Sequence, residues 1–473
     1  EESKSGSQFV FDTQGRPTAM VDANGNQTTP TRDIQGNLTR VTDPVGRSIE
    51  LSYSAGRLTQ ITDPIGRTFH YTYDGAGNLI SYTDARGGST TYAYDDEHRV
   101  TSVTDPEGVT FTTNVYDQFG RVTSQVDGRG GTLSIRYGDV RSTVTDPLGY
   151  ETVYFYDRYH RLMGNQDALG HTTSRLYDAS DNVVSRTDAR GSTMTYAYDA
   201  RGNLTHMTDP LGHATTFTYD SSDNLTAMTD ALGHSILLTY DAHRNPATIT
   251  RPLGAVTTNA YNLRGQPVAV SDASSHTTTA AYDADGNLSQ ITDALGHART
   301  FTSDGIGRLV GSADPKGHTS AFAYDASSRL VAATDALGHA STLGYDQSGR
   351  LTSISDPKGR VTQYSYDDQS NLTAVTDAVG HVTTYAYDAN NHLTQITDAN
   401  GHATQYHRDA LGRLTAVIDP IGRATHYTYD GNGNLVSKTK ADGNTITYTY
   451  DADNRLTTVS YPESTKATYV YDA

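Results

Sequence analysis

The sequence predicts an all-β chain of tandem β-hairpin repeats, about 21 residues each, forming a coiled or spiral β-sheet. Three observations predict it. Tyrosine returns in register, each unit carries two Asp-x-x-Gly turns, and the segments between turns have strand composition without a helical period.

The register comes first. From Tyr156 the key tyrosine advances 21 residues at a time, through Tyr177, Tyr198, Tyr219, Tyr240, Tyr261 and Tyr282, on to Tyr471. Before it the period wavers over Phe11, Arg32, Tyr53, Tyr73, Tyr94, Tyr116 and Tyr137. Residues 1–473 therefore read as one continuous array of about twenty-two units, irregular over 1–155 and regular over 156–473, with no separate catalytic domain. Repetition from end to end overrides the count of ordinary domains that 473 residues would suggest.

The turns come next. Asp199-Ala200-Arg201-Gly202 and Asp209-Pro210-Leu211-Gly212 represent the two kinds. Asp first and Gly fourth suit a type I turn, and Pro second pre-sets its φ. A type I turn closed by a left-handed Gly is a common hairpin connection. The Asp carboxylate can accept backbone N–H groups inside the turn, which gives most of these aspartates a structural task.

Between turns lie short segments such as His213–Tyr219 and Asn203–Thr208, rich in Thr, Tyr and β-branched residues. Strand alternation puts Tyr196 and Tyr198 on one face, Thr195 and Ala197 on the other. Leu204 and Met207 have opposite parity and face opposite sides unless a bulge intervenes. Each repeat is one hairpin, successive repeats continue the meander, and equivalent tyrosines can stack as cross-strand pairs. Some forty-four strands make a ribbon roughly 210 Å long. Long sheets twist and curl, so the ribbon is expected to coil. Around a lumen about 50 Å wide it would make little more than one turn.

Composition excludes several classes. Leu, Ile, Val and Phe make up about 17% of the chain, too little for a thick two-layer core, while 33 tyrosines in register argue against disorder. A net charge of −18 argues against a nucleic-acid partner. Zero cysteine removes disulfides, thiolate nucleophiles and Cys-based zinc sites. No apolar stretch approaches the ~18 residues of a membrane helix.

Units such as YDADGNLSQITDALGHARTF (Tyr282 to Phe301) and YDGAGNLISYTDARGGSTTYAYD (Tyr73 to Asp95) resemble the YD repeats of Rhs proteins. Similar repeats occur in the B–C components of insecticidal Tc toxins, in wall-associated bacterial toxins and in teneurins. The resemblance covers essentially the whole chain. It implies a spiral β-sheet shell that in the bacterial toxins encloses a C-terminal toxic domain. The chain departs from the pattern at Ser303 and Arg408, which stand where Tyr is expected, at Arg251 and Asn262 in place of a turn Asp, and in a shortened unit around Tyr137-Gly138-Asp139. It begins Glu1-Glu2-Ser3 and stops at Tyr471-Asp472-Ala473 inside a repeat, without the segment that closes Rhs shells by aspartyl self-cleavage. It therefore looks like the repeat portion of a longer protein.

Three constellations could carry chemistry. His171, His213, His234, His276, His297, His318, His339, His381 and His402 share one position after the turn, and a row of imidazoles can bind Zn²⁺ or titrate near neutrality. The plainer reading is a turn-exit residue interchangeable with Arg, since Arg47, Arg67, Arg360 and Arg423 fill the same slot. Neighbouring equivalents two strands apart, at roughly 9–10 Å, are too distant to share a metal. Asp283-Ala284-Asp285-Gly286-Asn287 faintly resembles a calcium loop but lacks its closing Glu. No nucleophile elbow appears, and carboxylates present in every repeat single out no catalytic pair. The expectation is no enzyme, with no catalytic, cofactor-binding or metal residue and no cofactor.

Two functions from different classes remain. One is a structural shell of a secreted Rhs-type toxin, whose partners are an encapsulated toxin domain or flanking regions of the same polypeptide. The other is an extracellular adhesion, cell-surface or filament-forming module. Open sheet edges allow self-association, exposed tyrosines allow a glycan or cell-surface ligand, and the expected location is secreted or cell-surface.

Overall fold

The computed structural model describes residues 6–472; the Glu1–Ser3 start and Ala473 lie outside them. Among the described residues there are 45 strands and no helix. Each strand pairs antiparallel with the strands before and after it in sequence, so the whole is one meander. One repeat contains the strands Thr193–Tyr198 and Leu204–Thr208, and the next opens with Ala214–Tyr219.

A bulge settles the parity problem. Tyr196 pairs with Met207 and Ala197 with His206, but Tyr198 pairs with Leu204 because the register shifts between Ala197 and Tyr198. The extra residue returns Leu204 and Met207 to the tyrosine side. Met194, Tyr196 and Tyr198 are accordingly half-buried while Thr193, Thr195 and Ala197 are exposed. Leu204 and Met207 are half-buried and His206 exposed. The shift recurs in repeat after repeat, for example at Thr218/Tyr219 and Ala386/Tyr387. The shortened unit does without it: Tyr137 pairs directly with Ser142.

In most repeats the tyrosine serves the strand start of the repeat before. The ladder between Leu204–Thr208 and Ala214–Tyr219 ends at His206, leaving the Leu204 carbonyl beyond the last rung. The Tyr219 hydroxyl donates to that carbonyl at 2.9 Å. Tyr240 does the same for Leu225 and Tyr387 for Leu372. The expected stacking of equivalent tyrosines does not occur. The ring pairs among the described residues, Phe9–Phe11 and Tyr71–Tyr82, do not join equivalent positions of this register. Arginines cover the rings instead: Arg308 lies over Tyr324, Arg329 over Tyr345 and Arg413 over Tyr429, at 4.4–5.0 Å from the centroids. Where Arg408 replaces the tyrosine, its guanidinium turns back to the Gly412 carbonyl at 3.0 Å.

The sheet is a single layer. Ala19, Ala416 and Val459 are the buried apolar residues among those described, and no large side chain is fully enclosed. The accessible surface is 26348 Å², against roughly 17,000 Å² for a compact monomer of this mass. Side chains of one sheet face, its tight turns and its ladders hold the fold together in place of a two-layer core.

The ribbon coils more tightly than the sequence alone suggests. Ser327 bonds Asp84, 243 residues earlier, and Asn390 bonds Asp146, 244 residues earlier. The turn at Asp84 follows the eighth strand and the turn at Ser327 follows the thirty-first, a difference of twenty-three strands per coil. That corresponds to a circumference of about 110 Å and a width of about 35 Å. The chain makes nearly two coils, where a wider lumen had implied little more than one. One edge of the ribbon carries all turns that follow a tyrosine, the other all turns that follow the shorter strand. Successive coils join these two different edges.

Candidate functional site: the seam between coils

Both edges use one turn. Asp209 donates its N–H to the His213 carbonyl, and the Gly212 N–H returns to the Asp209 carbonyl, both at 3.0 Å. Gly212 sits at φ +91°, where an L side chain is strained. One carboxylate oxygen of Asp209, Oδ1, accepts the N–H groups of Leu211 and His213 at 2.9 and 2.8 Å. The other, Oδ2, accepts from the side chain at the turn exit, here His213 Nδ1 at 2.8 Å. Asn203 and Arg308 fill the same role for Asp199 and Asp304. The turn survives loss of the carboxylate, since Arg251 keeps both backbone bonds and Asn262 Oδ1 accepts from Arg264 and Gln266.

This arrangement places each candidate from the sequence. His171, His213, His234, His276, His297, His318, His339, His381 and His402 all bond the aspartate of their own turn through Nδ1, at 2.8–3.1 Å. The bond is strongest in its electrostatic effect at Asp314, where the His318 side chain and N–H lower the carboxyl from 3.8 to about 2. His171 and His213 are partly covered, whereas His234 to His402 are exposed. Asp283 of the calcium-like loop accepts the Asn287 N–H and side chain at 2.8 and 3.0 Å, ordinary turn bonds.

Five aspartates on the shorter-strand edge lack a capping side chain at the turn exit: Asp84, Asp105, Asp127, Asp146 and Asp188 are followed there by Gly88, Val109, Gly131, Tyr150 and Ser192. Four of them receive a donor from the next coil. Ser327 Oγ donates to Asp84 Oδ2 at 2.9 Å, and Ser348 Oγ to Asp105 Oδ2 at 2.8 Å. Asn390 Nδ2 donates to Asp146 Oδ2 at 2.7 Å, and Asn432 Nδ2 to Asp188 Oδ2 at 2.6 Å. Each donor sits two residues after the aspartate of a tyrosine-side turn. At the fifth, Gln369 holds the donor position, but its amide nitrogen lies beside Gly128 and is buried without a partner. Burial pushes the Asp84 carboxyl up, but N–H groups of Arg86 and Gly88 and the Ser327 hydroxyl outweigh it and leave it lowered.

Arginines reinforce the seam by reaching carbonyls of the opposite edge. Arg67 Nη1 donates to the Ala326 carbonyl at 2.9 Å, Arg86 Nη2 to that of Gln347 at 2.9 Å and Arg190 Nη1 to that of Asp451 at 3.1 Å. At one place two carboxylates meet across the seam. Asp453 occupies the donor position opposite Asp209, and with His213 these are the three potential metal ligands that lie within 4.8 Å of one another among the described residues. Burial and then the Asp209 charge push the Asp453 carboxyl up. The repulsion is relieved in part by Arg455, whose Nη2 lies 3.7 Å from Asp453.

Sequence reasoning misses the seam, although a signal exists: an uncapped turn aspartate and a Ser or Asn 243–244 residues later. Seam formation covers the third turn residue. Leu211, in the seam, is 44% exposed, whereas its equivalent Leu295 on the uncovered stretch is 82% exposed. Among the described residues no helix is long and apolar enough to cross a membrane.

Comparison with known proteins agrees with this geometry. A model of the RHS Repeat matches residues 11–49, 53–88, 73–110, 94–132, 177–215, 198–235, 408–445 and 429–466. A model of the Teneurin YD-shell matches residues 233–422. No curated protein matches the chain. Among solved structures, the crystal structure of TcdB2-TccC3 superposes with a TM-score of 0.61 at 15% identity, covering 98% of this chain and 33% of that one. TcdB2-TccC3 without its hypervariable C-terminal region gives 0.53 at 13% identity, covering 98% and 35%. A Tc holotoxin pore from Photorhabdus luminescens gives 0.54 at 15% identity, covering 97% and 26%. The chain thus spans about a third or less of the solved chains it resembles. With its paired turns, bulge-serving tyrosines and coiled single sheet, the chain belongs to the RHS-repeat family and has the fold of a YD shell.

Proposed function

We propose that this chain is the wall of a hollow shell that encloses a toxic polypeptide of a secreted Rhs-type toxin, and that it performs no catalysis itself. The observation that carries this reading is the registered seam, where Ser327, Ser348, Asn390 and Asn432 tie one coil to the next and turn a ribbon into a continuous wall. A single layer with almost no core has little use as a compact enzyme scaffold and suits a container. The carboxylates and imidazoles are occupied in turns, which leaves them to hold shape rather than to do acid–base work. A net charge of −18 keeps such a wall soluble outside the cell. The TcdB2-TccC3 and Tc holotoxin likeness supports the shell; the cargo and its export belong to the proposal.

The test is protease protection. A polypeptide that cannot fold, fused after Ala473, should resist added protease while the wall is intact and become sensitive when the seam donors are removed together. Equal sensitivity in both states would overturn the container reading.

A further inference from the structure

Turns meet across the seam at a regular interval, and one such meeting brings three ligand-type side chains together. Asn390 and Asn432 each meet an aspartate 244 residues earlier and donate to its Oδ2. Asp453 follows Asp209 by the same 244 residues and sits two residues after Asp451, the position from which those asparagines donate. It brings a carboxylate where they bring an amide N–H. Asp209 Oδ2 already takes the His213 imidazole at 2.8 Å, and Asp209 Oδ1 takes the N–H groups of Leu211 and His213. Two ionised carboxylates have no proton to offer each other. Arg455 is directed mainly elsewhere: its Nε lies 2.8 Å from Asp451 Oδ2 and its Nη1 donates to the Asp472 carbonyl at 3.2 Å, which leaves Nη2 3.7 Å from Asp453.

We propose that Asp209, His213 and Asp453 form a binding site for a first-row divalent transition cation such as Zn²⁺, which clamps one coil to the next. One ligand atom from each residue lies within 4.8 Å of the other two, and all three residues are half-buried. Ligands that share an ion at about 2.0–2.2 Å stand roughly 3–3.5 Å apart, so small side-chain rotations close the set. His213 joins through Nδ1 when its ring proton sits on Nε2. The ion supplies the positive charge that the facing carboxylates lack and turns their repulsion into attraction. One imidazole nitrogen beside two carboxylate oxygens favours Zn²⁺ and its neighbours over Ca²⁺ and Mg²⁺, which take oxygen ligands. A cleft of about 350 Å³ beside the pair, lined in part by Ser192, Asp209, Asp453 and Asn454, gives water room to complete the coordination. Turn histidines of neighbouring repeats stand too far apart to share an ion, whereas a turn of the next coil does not. The clamp goes beyond the container reading and does not depend on a cargo.

The experiment is isothermal titration calorimetry of the full chain with ZnCl₂ after stripping with EDTA and dialysis, joined to thermal melts in Zn²⁺ and in EDTA. The expected result is one saturable equivalent with Kd on the order of micromolar or tighter, and a melting temperature raised by Zn²⁺. Asp453→Asn places a neutral donor there, as Asn432 does opposite Asp188, and should weaken that equivalent at least about tenfold while the chain still folds. His213→Asn keeps the turn cap, as Asn203 does for Asp199, and should weaken it by a similar factor. His339→Asn, at an exposed turn exit, should leave it unchanged. Absence of a saturable equivalent, binding undiminished in Asp453→Asn, or equal weakening by His339→Asn would overturn the proposal.

Discussion

The Ser327 hydroxyl donates to Asp84 Oδ2 at 2.9 Å across 243 residues of sequence, joining two coils of one ribbon. Asp84 can accept it because Gly88, at the exit of its own turn, has no side chain to offer. The same complementarity links Asn432 to Asp188, whose turn exit is Ser192. Replacing Asn432 by Ala removes a 2.6 Å bond to a carboxylate and should cost on the order of 1–2 kcal/mol, confined to the seam. Hydrogen exchange should rise at the Asp188 and Asp430 turns and stay unchanged two repeats away; a global rise would contradict a local lock.

The tyrosine hydroxyl is a separate contribution. Tyr219→Phe keeps the ring but removes the 2.9 Å bond to the Leu204 carbonyl, and should cost about 1 kcal/mol. Tyr219→Ala also removes the half-buried ring and should cost about 2–4 kcal/mol. Repeat arrays couple to nearest neighbours, so faster amide exchange should be limited to the repeats around Tyr219. No difference between the Phe and Ala variants would show that the ring contributes nothing.

Asp453→Asn restores the donor found at Asn390 and Asn432 and removes the charge that faces Asp209. The Asp453 carboxyl is raised in the folded chain, so its contribution is favourable at low pH and lost as pH rises through the folded value. The substitution should therefore stabilise the chain at neutral pH by on the order of 1 kcal/mol and lose its advantage in acid. Thermal melts at two pH values measure this; a lower melting temperature for the variant at neutral pH would count against the repulsion.

The turn aspartates have the opposite sign. Asp314 is lowered from 3.8 to about 2, and Asp272 and Asp293 are lowered by the N–H and imidazole of His276 and His297. Their stabilisation is fully present above the ordinary carboxylate value and is lost as pH falls from about 4 toward 2. Melting temperature followed over that window should fall steeply; a flat profile would mean that the carboxylate caps do not matter.

Much of the fold was legible in the sequence. The Asp199 and Asp209 turns announce both edges, and Thr193–Tyr198 reads as a strand. The side on which Leu204 lies was not legible, because its parity with Met207 conflicts until a bulge at Ala197/Tyr198 is known. Ring stacking was the wrong task for the tyrosine, since only the pairing pattern reveals the Leu204 carbonyl that its hydroxyl serves. The histidines were correctly placed at turn exits, but their bond to the turn aspartate follows from geometry. The seam was hidden for a different reason. It joins residues 243–244 apart, and that interval depends on the curvature of the whole ribbon, which no single repeat encodes.

The most direct test of a sheet coiled on itself is cross-linking, and a chain without cysteine allows it cleanly. Arg86→Cys with Gln347→Cys places thiols where Arg86 Nη2 meets the Gln347 carbonyl at 2.9 Å. A coil of twenty-three strands predicts an efficient intramolecular link through a short thiol crosslinker in the monomer, and little for Arg86→Cys with Asn390→Cys two repeats further along. Two freely reactive thiols at 86 and 347 that fail to link, or linking equal at both partners, would contradict it.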